Sequence, residues 1–250
     1  MPILVLVSFA LQVLCAIHVV RSGRPLYWIW LLLIGSYLAV VVYVFIAVIP
    51  DLRNDPRGRA VAKHVLNTID PERQRRRIRE RLDVADTIAN RKALAEECLR
   101  LGDYANAVDL YRSILKGIYA TDPEFMLGLA HAEAGTGDFA AARVTLDALI
   151  KGNPQYRSAD GHLLFARCLE ELGEDDAAIA EYEVLARSYP GEEARFRYAA
   201  LLKKRERYGD AKNVLQDMLK RARLAPRYYR RKEQEWIEAA KRELAALESA

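Results

Sequence analysis

Four segments of the chain share one pattern at a nearly fixed interval: LRLGDYANAVDLYRSIL, AGTGDFAAARVTLDALI, EELGEDDAAIAEYEVLA and KKRERYGDAKNVLQDML. Aligned on Gly102, Gly137, Gly173 and Glu206, they are spaced by 35, 36 and 33 residues. A period of this length is one supersecondary unit repeated, and a single such unit cannot bury its own apolar face. Each unit must be covered by the next. The chain that contains them is therefore expected to form a linear stack and not a globule around one centre.

The content of the units says what is stacked. Small residues Ala95, Ala130, Ala166 and Ala199 recur before the turn, and Ala107, Ala142, Ala178 and Ala211 recur after it. A small side chain lets two helices approach closely. Tyr104, Phe139 and Tyr208 follow the turn, where a ring fills the adjoining gap; Asp175 is the exception. Tyr111, Leu146, Tyr182 and Leu215 come four residues after each second alanine. Glycine in three of the turns tolerates a left-handed backbone at little cost; the fourth turn has Glu206.

These positions resemble the tetratricopeptide repeat (TPR), with Pro154 and Pro190 at that family's terminal proline and Pro123 and Pro226 three or four residues late. The resemblance implies an all-α fold, a TPR α-solenoid of about four repeats over residues 88–226. Residues 227–250 are expected to cap it, with Trp236, Ile237, Ala240, Leu244 and Leu247 at helical spacing. Asp70-Pro71-Glu72 and Asp122-Pro123-Glu124 each offer a capping carboxylate, a proline of preset φ and a first-turn acid, so each predicts a helix start.

The first fifth of the chain is of another kind. Between Pro2 and Pro50 only Arg21 and Arg24 are charged. The run from Pro2 to Val20 is about the minimum length for a bilayer, and the run from Leu26 to Ile49 is long enough to span with tilt. The start MPILVLVS has no basic side chain, which argues against a secretory signal. Residues 1–50 are therefore expected to form a transmembrane helical hairpin, closed by RSGRP. Tyr27, Trp28 and Trp30 would sit at the membrane interface, where amphipathic rings concentrate. Arg53, Arg57, Arg59 and Lys63 follow the second run, against two arginines in the link, which puts the C-terminal part on the cytoplasmic side of a bacterial-type inner membrane. The stretch HVVRSGRPLYWIWLLLIG and the tyrosine in VVVYVF resemble the N-terminal hairpin that precedes phospholipase D/nuclease-type domains, as in cardiolipin synthases. Ser36 departs from the pattern, and no histidine is followed two residues later by lysine, so the chemistry of that family is not implied.

Residues 51–87 read as a basic linker and stem helix. PERQRRRIRERL holds six arginines in twelve residues, with Ile78, Leu82, Ala85 and Ala89 as an apolar stripe. Arg75, Arg76 and Arg79 point away from that stripe. They are read as solvated helix face or as contacts to anionic headgroups, ahead of nucleic acid.

No motif carries chemistry. There is no phosphate loop, no nucleophile elbow and no His-Glu-x-x-His. Four scattered histidines give no metal cluster, and no cofactor is expected. Glu96-Glu97 and Glu170-Glu171 are adjacent on helices and so point in different directions. Cys98 and Cys168 read as small core residues. The chain is expected not to be an enzyme.

The TPR resemblance implies a concave face lined by first helices. The residues placed there are Lys92, Glu96, Leu127, His131, Leu163, Arg167, Phe196, Ala200 and Lys203. Their mixed apolar and charged character suits an extended or helical segment of another protein. The family's carboxylate clamp is not expected, because Glu96 stands where an asparagine belongs and Asp160 where a lysine belongs. The expected function is a membrane-anchored scaffold binding protein partners, in envelope assembly or its regulation. An accessory subunit of phospholipid synthesis, without an active site, is the alternative.

Overall fold

The computed structural model describes residues 2–21, 25, 27–34, 40, 42–48 and 70–249. It divides into two compact units, Met1–Arg73 and Gln74–Ala250. The residues used for the orientation argument, Arg53, Arg57, Arg59 and Lys63, lie outside the described part, as does Ser36.

In the first unit α1 (Pro2–Arg21) and α2 (Tyr27–Ile34) are in contact, and a π-helical turn follows at Val44–Val48. Cys15, Val19, Leu32, Val40, Tyr43 and Ala47 form its interior. His18 has a partner within this unit. Its Nδ1 shares a hydrogen bond of 3.0 Å with the Tyr43 hydroxyl. Of the expected interface rings, Trp28 is half-buried and meets Tyr43 at 5.2 Å between centroids, while Tyr27 and Trp30 are exposed. Among the described residues no helix is long and apolar enough to cross a membrane. The two-span hairpin expected over residues 1–50 is therefore not among the described elements. α2 covers eight residues, and residues 26, 35–39, 41 and 49 of the second run lie outside the described part.

The second unit is a run of helices with no strand among the described residues. α3 (Arg73–Val84) precedes four pairs: α4 (Ile88–Leu101) with α5 (Tyr104–Ile114), α6 (Pro123–Gly135) with α7 (Phe139–Gly152), α8 (Ala159–Glu171) with α9 (Asp175–Ser188), and α10 (Glu193–Lys204) with α11 (Tyr208–Leu224). α12 (Arg227–Lys232) and α13 (Gln234–Ser249) close the chain. From α4 onward each helix packs on the next, first helices α4, α6 and α8 also touch in sequence, and α13 packs on α10 and α11.

The repeat positions account for this packing. Ala95, Ala130 and Ala166 are fully buried and Ala199 nearly so, as are Ala107, Ala142, Ala178 and Ala211. Tyr111, Leu146, Tyr182 and Leu215 fill the space that these alanines leave. Helix starts follow the capping residues. Thr87 accepts from the Asn90 amide, Asp122 from Glu124 and Phe125, Asp138 from Ala141, and Ser158 from Gly161. Gly102, Gly137 and Gly173 have φ of 77, 85 and 77°, and Glu206 takes the same left-handed region at 58°. Asp175, the exception among the rings, is buried and accepts from Lys204 Nζ of the next repeat at 2.8 Å.

The stem differs from expectation. Its helix starts at Arg73, after a turn at Pro71–Glu72, and stops at Val84. The Asn90 side-chain amide donates to the Arg81 and Ala85 carbonyls at 3.2 and 2.8 Å, which satisfies the end of α3 and separates it from α4. The apolar stripe is thus Ile78 and Leu82 only, and Ala85 and Ala89 are exposed. Arg75, expected at a lipid surface, is half-buried and pairs with Asp103 at 3.1 Å.

Candidate functional site: the face of the first helices

The residues placed on the partner-binding face lie on α4, α6, α8 and α10, one helix of each pair, and their surroundings divide them into three groups. At the N-terminal end Lys92 reaches across to Glu124 at 2.7 Å, approaches Glu96 at 3.8 Å, and lies 5.6 Å from the centre of the Phe125 ring. This pair ties α4 to α6. Glu96 itself is exposed.

At the C-terminal end the chain engages its own side chains. Phe196 meets the Trp236 ring at 5.6 Å, and Lys203 pairs with Glu243, both on α13. Ala200 is half-buried. Leu163 is buried, packed in the interior with Ala166, Leu169 and Tyr182.

The middle is open. His131 on α6 and Arg167 on α8 line one depression of about 280 Å³, walled by Leu99, Ala134 and Leu164. Both occupy the same repeat position, 36 residues apart. Arg167 Nη1 is 3.8 Å from Glu193, too long for a hydrogen bond, and its Nε is buried with no acceptor among the described residues. Burial pushes the His131 pKa below its usual value; the Arg167 charge acts in the same direction and Asp160 opposes both. At neutral pH His131 is therefore an uncharged ring beside a fixed cation. Leu127 is half-buried and lines a second depression of about 280 Å³ between α7 and α8, with Leu146, Phe165 and Glu181. There His162 Nε2 lies 2.6 Å from a Glu181 carboxylate oxygen. Sequence reading passed over this depression.

The adjacent acids point in different directions as expected, and the thiols are core residues, but Glu97 and Glu170 are not solvated surface. Glu96 is exposed while Glu97 is buried against Arg100 at 2.6 Å. Glu170 accepts from the Tyr182 hydroxyl at 2.6 Å while Glu171 is exposed. Cys98 and Cys168 are buried, and burial pushes the Cys168 thiol up to about 11, far from a reactive thiolate at neutral pH. Among the described residues no cluster of His, Cys, Asp or Glu could hold a metal ion.

Helix pairs stacked with alanine contacts and left-handed turns define a TPR-like α-solenoid. Residues 127–193 match the family model of the tetratricopeptide repeat. A thermophilic TPR protein of Thermus thermophilus is similar in fold, with a TM-score of 0.51 and 18% identity, over 80% of this chain and all of that one. YrrB, a TPR protein with an unusual peptide-binding site, gives 0.49 and 15% over 69% of this chain and 89% of its own. MamA of strain MSR-1 gives 0.47 and 19% over 65% and 95%. At these identities the likeness is one of fold. No curated protein matches the sequence. None of these matches supports the phospholipase D-type hairpin that the N-terminal segment resembles.

Proposed function

We propose that this chain is a scaffold that holds a segment of a partner protein against its first-helix face. The observation that carries the reading is Arg167, whose buried Nε has no acceptor among the described residues, in one depression with His131 and the side chains of Leu99 and Leu164. A fixed cation with unused donors next to apolar walls suits a peptide that presents an acceptor beside an apolar side chain. The scaffold carries no chemistry of its own in this reading.

The finer part of the proposal concerns place. The almost uncharged stretch from Pro2 to Pro50 and the outward-facing Leu14, Ile17, Val20 and Trp30 support a lipid anchor, since water-exposed apolar side chains in this density are unfavourable. With the anchor in a bacterial-type inner membrane, the repeats would stand on its cytoplasmic side and serve envelope assembly or its control.

The test is co-purification of the full chain from membranes, beside His131→Ala and Arg167→Glu. The partner should be retained by the parent chain and reduced about tenfold or more by Arg167→Glu, the loss of one charge-assisted contact. Equal recovery from all three would overturn groove recognition.

A further inference from the structure

A second basic run, not the one that stands out in the sequence, is the more open to a partner. From Arg221 to Lys232 six of twelve residues are Arg or Lys and none is acidic. All six are exposed. Lys232 approaches Glu233 at 3.8 Å; Arg221, Arg223, Arg227, Arg230 and Arg231 have no carboxylate within 4.0 Å among the described residues. The stem run, by contrast, contains Glu72 and Glu80 and commits Arg75 to Asp103.

The fold holds this tip in place. Tyr229 donates to the Pro190 carbonyl at 3.1 Å and to Glu192 at 2.8 Å, and Glu233 accepts from the Glu192 amide at 2.9 Å. Tyr229 and Glu233 share one side of the helical turn. The opposite side carries Arg227 and Arg231, and Tyr228 stands out at 77% exposure. Leu224, at the end of α11, is 79% exposed. Cations in the last turns of α11 and α12 complement their helix dipoles, which explains Arg221, Arg223 and Arg230 without a partner. It does not explain Arg227, which sits in the first turn of α12 where the dipole repels it. Nor does it explain a leucine and a tyrosine left in water among the charges.

We infer that the tip between α11 and α12 docks on an anionic phospholipid surface. The arginines meet headgroup phosphates, the tyrosine takes the interfacial depth, and Leu224 enters the acyl boundary. Nucleic acid would satisfy the arginines but leave Leu224 in water. The inference does not depend on the N-terminal runs crossing a bilayer.

The test uses the full chain with Leu224→Cys carrying an environment-sensitive fluorophore, the native cysteines being buried. It is added to vesicles of phosphatidylcholine, or of phosphatidylcholine with phosphatidylglycerol. The label should brighten and shift to the blue only with the anionic vesicles, and the change should reverse in high salt. Arg227→Gln with Arg230→Gln and Arg231→Gln should weaken that response on the order of a hundredfold. The helical circular dichroism of the same variant should be unchanged. An equal response to both vesicle types, or to neither, would overturn the inference. So would displacement by inorganic phosphate at matched ionic strength, or the same response to a duplex oligonucleotide without lipid.

Discussion

The ring of Phe196, on the first helix of the fourth repeat, lies 5.6 Å from the ring of Trp236 on the C-terminal helix, the planes tilted by 43°. Arg197 adds its guanidinium 5.8 Å from the same indole. α13 therefore occupies the place of a fifth first helix and seals the apolar end of the stack. Trp236 is half-buried, so Trp236→Ala should cost about 2 kcal/mol, below the range for fully buried rings. Urea unfolding with helical circular dichroism measures this; a change under a few tenths would mean that α13 does not cap the stack.

Glu206 occupies the left-handed turn that glycine fills in the other three repeats, at φ 58°. The hydrogen bonds are the same: Arg207 N donates to the Leu202 carbonyl as Asp103 N does to Cys98. Glu206→Gly should raise stability by about 0.5–1 kcal/mol, the steric relief being partly offset by glycine's freedom when unfolded. A lower melting temperature would contradict this.

The repeat was legible because its signals are local and periodic: Ala107, Ala142, Ala178 and Ala211 could be placed from spacing alone, and all are fully buried. The helical spacing of Trp236, Ile237 and Ala240 was legible for the same reason, although residues 227–250 form two helices, α12 and α13, where one was expected. The open part of the face was not. Whether Phe196 and Lys203 face a partner or their own chain depends on where α13 docks, and no spacing encodes that. The partner of Arg75, Asp103, is 28 residues away, and no local spacing encodes that pair. The basic tip was overlooked because it sits beside repeat signals, whereas the stem run stood alone.

Gly128 lies on α6 where its hydrogen faces the ring of Tyr111, and a Cβ there would overlap the ring. Tyr111 is only 3% exposed and cannot swing aside. Gly128→Ala should destabilise by about 1–3 kcal/mol, as overpacking does. Pairing it with Tyr111→Leu should recover part of the loss. Simple additivity of the two costs would place the strain elsewhere.

His131 has its pKa lowered by burial from the usual 6.5. The folded state then resists protonation more than the unfolded chain does. The stability this preserves is complete above about pH 6.5 and is lost as pH falls towards the depressed value. His131→Gln should remove that acid sensitivity, so the parent chain should lose stability relative to the variant between neutral pH and pH 5. Parallel pH profiles would contradict the assignment.

The central claim is that partners are held on the first-helix face between the second and third repeats. Photo-cross-linking in intact cells tests it most directly, with the reactive residue placed at His131, or at Val144 on the exposed side of α7. A discrete partner should be cross-linked from position 131 and lost when Arg167→Glu is added, with no such product from position 144. The same product from both positions, or one at 131 that survives Arg167→Glu, would contradict it.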